Sequence, residues 1–172
     1  MAAPQGVAYC AINVWEEVLP KRTLLVRSGF AGLIAASFLV GAPAAFAEMV
    51  MYKATLAAAS EVPPTDSKGS GALTASYDTA TKKLTYSATY KDLTGPAAAA
   101  HFHGPADAKT NAGVVVPVPA PASGGLVSPL KGEATLTDAQ AADLAAGKWY
   151  FNVHTAANKG GEIRGQVMKG GM

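Results

Sequence analysis

Two of the chain's three histidines stand one residue apart, at His101 and His103, in the stretch AAAAHFHGPA from residue 97 to 106. Four alanines, then His101-Phe102-His103, then Gly104-Pro105, read as an extended strand ending at a turn. Residues i and i+2 of a strand point to the same face, so both imidazoles leave the sheet together. The third histidine, His154, ends the run KWYFNVHT. Alternation there sets Tyr150, Asn152 and His154 on one face and Trp149, Phe151 and Val153 on the other. If this strand neighbours the first, three neutral imidazoles could gather into a ligand set for copper or zinc, with a position left open for water or an anion. The same spacing also fits partly buried histidines that only hydrogen-bond and bridge loops.

Charged residues stand close by in sequence. Asp107 and Glu162 are candidates to orient the rings by hydrogen bonding, although Asp107 equally reads as a solvated turn residue. In GGEIRGQV, Gly160 and Gly161 suit a tight turn, and Glu162 and Arg164 then project to one face of the following strand. Their simplest reading is a same-face ion pair, weak if exposed, or a charged patch. If that face is also the His154 face, Arg164 would draw an anion toward a bound metal.

Other chemistries find little support. Cys10 is the only cysteine and lies in the leader, so the rest of the chain offers no thiolate ligand, thiol nucleophile or disulfide. No nucleophile elbow, dinucleotide fingerprint or phosphate-binding loop occurs. The formal charge is +2 without basic clusters, which argues against nucleic acid as a partner and against a polybasic membrane patch.

The amino-terminal part reads as a targeting segment. Lys21, Arg22 and Arg27 precede SGFAGLIAASFLVGAPAAFA, an apolar run with small residues before a cut after Ala47. The run is short for a membrane span and Pro43 interrupts it, so no stable span is expected after cleavage. Glu16 and Glu17 do not fit a signal sequence, which points to an over-extended start and true initiation near Leu24 to Val26. Residues 1–47 are thus expected to be leader and 48–172 one exported domain, periplasmic or secreted, large enough for its own core.

The elements that must carry these side chains read as antiparallel β. LTYSATY, residues 84–90, alternates Leu84, Tyr86, Ala88 and Tyr90 against Thr85, Ser87 and Thr89. GALTASY before it alternates likewise, and the link DTATKK makes the two a hairpin. Further strands are expected at 50–57, 97–103, 113–118, 127–135, 148–155 and 162–168. One helix is expected at 138–146, with a capping box formed by Thr137 and Gln140, Asp138 in its first turn and Gly147 as its stop. VVVPVPAPASGG reads as an edge strand entering a loop, because its prolines cannot donate to a ladder. About eight short strands plus one helix predict an all-β fold, a single antiparallel Greek-key sandwich or barrel.

Several segments together resemble the CHRD domain, a module named after chordin and also found alone in secreted bacterial proteins. The resemblance rests on Glu61-Val62-Pro63-Pro64, His101-x-His103-Gly104-Pro105-Ala106, Tyr150-x-Asn152-Val153-His154-Thr155 and Gly161-Glu162-Ile163-Arg164-Gly165. It spans about residues 51 to 168 and implies an all-β, immunoglobulin-like or barrel fold, without implying a particular reaction. A fainter likeness is to copper/zinc superoxide dismutases, which combine a Greek-key barrel, an H-x-H pair, a later histidine and an arginine after a Gly-rich turn. That likeness implies His101, His103 and His154 as copper ligands and Arg164 as an anion guide. The chain lacks the fourth histidine, the zinc-loop histidines and the disulfide of those enzymes, which leaves at most a single-copper site.

Three functional readings follow. The first is an exported protein with a three-histidine copper or zinc site. The second is a non-catalytic envelope or extracellular module that contacts a protein partner through sheet edges and Tyr86, Tyr90 and Trp149. The third is a redox enzyme using one copper.

Overall fold

A computed structural model describes residues 47–170. The leader reading of residues 1–46, including the start site and the apolar run, lies outside the described residues. The elements are β1 (Met49–Ala57), β2 (Ser70–Asp78), β3 (Lys83–Lys91), β4 (Ala97–His103), β5 (Val114–Pro117), β6 (Leu130–Thr135), α1 (Asp138–Ala145), β7 (Trp149–Thr155) and β8 (Ile163–Lys169). All strand pairs are antiparallel and form one eight-stranded sheet, in the order β5-β4-β7-β8-β1-β2-β3-β6. The all-β expectation holds, and the sheet curls into a nearly closed barrel.

The curl follows from which residues must be buried. Alternating apolar residues of the neighbouring strands face inward: Tyr52 and Leu56 of β1, Leu73 of β2, Leu84 and Tyr86 of β3, Phe102 of β4, Trp149, Phe151 and Val153 of β7, and Val167 of β8. Each large side chain removed from water contributes about 1.5–3 kcal/mol. Phe102 sits at the centre, edge-on to Tyr86 at 5.1 Å and to Phe151 at 4.9 Å. The gap between the two ends of the sheet is bridged by the segment after β5. Leu126 N–H donates to Ala97 O on β4 (2.9 Å), and Tyr90 N–H on β3 donates to Ser128 Oγ (3.1 Å).

Local chemistry fixes the connections. Asp78 Oδ1 accepts from the N–H groups of Ala80 and Thr81, which closes the β2–β3 hairpin. At α1, Thr137 Oγ1 accepts from Gln140 N–H while Gln140 Oε1 accepts from Thr137 N–H, the reciprocal box anticipated from the sequence. Gly147 ends the helix at φ +69°, where a side chain would be strained. The proline-bearing β5 lies at one end of the strand order, where a missing N–H costs no ladder bond.

For the site, the informative strand is β7, because it is buried on both faces. Trp149, Phe151 and Val153 enter the core. Tyr150 and Asn152 on the other face are also buried, although only a loop layer covers them. That layer comes from residues 104–113, between β4 and β5, and from the turn after β1.

Candidate functional site

The register of β4 against β7 opposes Ala99 to His154, His101 to Asn152 and His103 to Tyr150. His101 and His103 therefore share the outer face of β4, and His154 lies diagonally across from His101. Ring centroids are 5.5 Å apart for His101 and His103, 4.9 Å for His101 and His154, and 6.2 Å for His103 and His154. One nitrogen from each ring lies within 4.8 Å of the others.

The hydrogen-bond partners assign the protons. His103 Nδ1 is 2.9 Å from the Ala112 carbonyl oxygen, and His154 Nδ1 is 3.0 Å from that of Lys159. A carbonyl can only accept, so both Nδ1 atoms carry hydrogen, and in the neutral form of each ring Nε2 carries a bare lone pair. His154 Nε2 meets His101 Nδ1 at 3.1 Å. His103 is only 8% exposed, and its Nε2 is buried without any partner. Burial, followed by the neighbouring His154 and His103 rings, pushes His101 down to about 4. Burial also lowers His154, against a smaller opposing effect of the Lys159 carbonyl. His101 and His154 are thus neutral at pH 7.

Tyr150 couples the cluster to a buried cation. Its ring stacks on His103 at 4.8 Å with planes 1° apart, and the Arg164 guanidinium carbon lies 3.4 Å from its centroid. Because β7 runs between β4 and β8, His103 and Arg164 occupy opposite faces of that ring. Arg164 is 1% exposed and holds the loop over the site. Its Nη1 donates to Asn111 Oδ1 (2.9 Å), and its Nη2 donates to the carbonyls of Asp107 (3.1 Å) and Thr110 (2.7 Å). Asn111 also donates to Val62 O (2.8 Å), which ties this loop to the turn after β1.

Glu162 and Arg164 do not form the ion pair read from their spacing. Glu162, fully buried, keeps its own donors. Ser67 Oγ and Thr94 N–H reach Oε1, both at 2.6 Å; Thr94 Oγ1 (2.7 Å), Thr155 Oγ1 and Asn158 Nδ2 (3.0 Å) reach Oε2. The Asp107 carboxylate is a turn group, accepting from Lys109 N–H and Thr110 Oγ1. Neither carboxylate hydrogen-bonds to a ring; the backbone carbonyls of Ala112 and Lys159 hold the outer nitrogens instead.

Glu61 was not singled out as a site residue. It is 5% exposed, its Oε1 has no hydrogen-bond partner, and it lies against Asn152 and Gly161. Burial raises it to about 7, although the Arg164 charge, Val62 N–H and the Asn152 amide all lower it. Its only sequence signal was membership of the Glu61-Val62-Pro63-Pro64 run. Tyr150 and Asn152 could have been found by reading β7's outer face as the lining of a site.

Fold and site together define a β-barrel domain that gathers every histidine of the chain at one place on its outer wall. The chain belongs to the CHRD-domain family, whose model matches residues 52–167. No curated protein and no solved structure matches it. Among the described residues no helix is long and apolar enough to cross a membrane.

Proposed function

We propose that this CHRD domain is exported, to the periplasm or beyond, and binds one copper or zinc ion through His101, His103 and His154. The observation that carries the reading is His103 Nε2, a buried lone pair without a partner, on a ring whose other nitrogen is already held by Ala112 O. Leaving such an acceptor unmet costs about 1–3 kcal/mol, and a metal ion would satisfy it. The donors are neutral imidazoles, with no carboxylate in the set. That chemistry suits copper or zinc and is foreign to calcium or magnesium, which take oxygen ligands.

The spacing supports the same reading. Two nitrogens on a tetrahedral ion at about 2.0–2.1 Å lie about 3.3–3.4 Å apart. The His101–His154 pair at 3.1 Å is close to that bite. The widest separation, within 4.8 Å, closes with ring movements of about 1.4 Å in total. Tyr150 stacking and the two carbonyl contacts do for the rings what outer hydrogen-bond partners do in metal sites, fixing tautomer and orientation. Three ligands leave a position for water or a small anion.

The test is metal content after loading with copper or zinc and removal of excess ion. Wild type is expected to retain about one equivalent, the stoichiometry of a single three-ligand site. The His101→Ala/His103→Ala double variant is expected to retain none. Equal retention by the two proteins, or none by wild type, overturns the assignment.

A further inference from the structure

The bond between His101 and His154 has only one possible donor. His154 spends its single ring proton on Lys159 O, so His154 Nε2 is an acceptor, and the proton in the 3.1 Å contact belongs to His101 Nδ1. In a neutral ring His101 Nε2 then carries no hydrogen. The nitrogen of His101 that faces His154 is therefore the protonated one, whereas the nitrogens that neutral His103 and His154 keep free of hydrogen are both Nε2. A metal cannot bind a nitrogen that bears a proton.

We propose that the His101–His154 hydrogen bond is a latch on the three-histidine site, opened when His101 passes its proton from Nδ1 to Nε2. The inference rests on the metal-binding reading and adds the donor atoms: His101 Nδ1, His103 Nε2 and His154 Nε2. Before loading, the latch occupies two of the three lone-pair positions with one proton. During loading the N–H bond at His101 Nδ1 breaks and one forms at His101 Nε2, with solvent water carrying the proton. His101 is part-exposed, which gives that water access. The ring remains neutral before and after, so no proton is gained or lost overall. His103 and His154 keep their Nδ1 protons throughout, because Ala112 O and Lys159 O continue to hold them.

The latch also explains an asymmetry among the three rings. Two are oriented by backbone carbonyls, whereas His101 has only a ring partner. A ring held from outside must accept metal at its inner nitrogen. A ring held only by another ligand is free to change tautomer once that ligand turns to the ion.

Long-range proton–nitrogen correlation spectra of the imidazoles test the proposal on the wild-type protein, stripped with chelator and then loaded with zinc, which is diamagnetic. The expected result in the stripped protein is a protonated-type shift at Nδ1 and a lone-pair-type shift at Nε2 for all three histidines. On zinc loading, only His101 exchanges the two positions. A stripped protein with His101 already protonated at Nε2 overturns the latch. Zinc-loaded protein in which His101 keeps its Nδ1 proton also overturns it, and leaves the three-histidine reading to its own metal-content test. Absence of bound zinc overturns the latch as a gate on a zinc site and leaves the copper reading to the metal-content test. In His103→Ala, His101 is expected to retain its Nδ1 proton with zinc present; exchange in that variant would show that the latch does not answer to the assembled site.

Discussion

Replacing Glu162 by glutamine keeps the shape of the side chain and removes what its five donors converge on. In the native arrangement Oε1 receives Ser67 Oγ and Thr94 N–H, and Oε2 receives Thr94 Oγ1, Thr155 Oγ1 and Asn158 Nδ2. Glutamine can serve the first pair with its carbonyl, but its NH2 then faces three donors. The two threonine hydroxyls can turn to accept on a second lone pair, but each then withdraws the O–H it gave the carboxylate. Asn158 Nδ2 cannot turn into an acceptor without exchanging its own amide. Losing charge assistance and opposing one donor with another costs about 3–5 kcal/mol. For a domain of this size that lowers Tm by about 10–20 °C.

The same variant carries a pH signature. Burial alone would raise Glu162, but hydrogen bonds from Ser67, Thr155 and Thr94 outweigh it and hold the group at about 2. Its unfolded value is about 4.3. The stabilisation is therefore complete above about pH 4.3 and is lost as pH falls toward 2. Glutamine does not titrate, so the gap between wild type and Glu162→Gln should be widest at neutral pH and narrow through that window. Urea unfolding followed by circular dichroism at several pH values measures both effects. A loss below about 1 kcal/mol at pH 7, within the range of ordinary surface substitutions, would refute the reasoning.

Glu61→Gln should behave in the opposite sense. Burial raises Glu61 to about 7, so only the folded state holds its proton between about 4.3 and 7, and the associated stability, complete below about 4.3, is lost as pH rises from there through 7. Glutamine mimics the protonated acid, so the variant should match wild type at about pH 4 and exceed it at pH 8 in thermal melts. Arg164→Lys gives up the planar fork that reaches Asn111, Asp107 and Thr110 and the stack on Tyr150; unfolding titrations should show a loss of about 2–4 kcal/mol. Competition with a chelator should also show metal affinity about 10–100-fold weaker in Arg164→Lys, as when an outer partner of a ligand is removed. Thr137→Ala removes one half of the capping box and should cost about 1 kcal/mol in unfolding free energy with metal affinity unchanged.

What the sequence made legible depended on how local the cause was. The strands around Leu84, Tyr86 and Ala88 follow from period-two burial, the helix from Thr137 and Gln140, and the edge position of β5 from its prolines, each decided within a few residues. His101 and His103 share a face for the same reason. The meeting of His154 with them required β4 to pair with β7 across more than forty residues, which the pattern allowed but could not dictate. Glu162 and Arg164 were misread as a pair because spacing reports a shared face and is silent about loops. Their partners come from residues 67, 94 and 158 for one, and from 107, 110 and 111 for the other.

Those two buried charges also explain how a rigid barrel can orient rings on its outer wall. The carbonyls that hold His103 and His154 belong to Ala112 and Lys159, in loops that a sheet ladder does not fix. Arg164 fastens the first loop through residues 107, 110 and 111, and the Glu162 carboxylate fastens the second through Asn158. Arg164 adds the Tyr150 ring as a spacer between itself and His103. Each charge pays a desolvation cost that an apolar residue would avoid. In return, backbone acceptors are held against particular ring nitrogens, which fixes the Nδ1 protons of His103 and His154. A purely hydrophobic packing of β7's outer face could stabilise the barrel, but it could not fix which nitrogen of each ring is available to a metal.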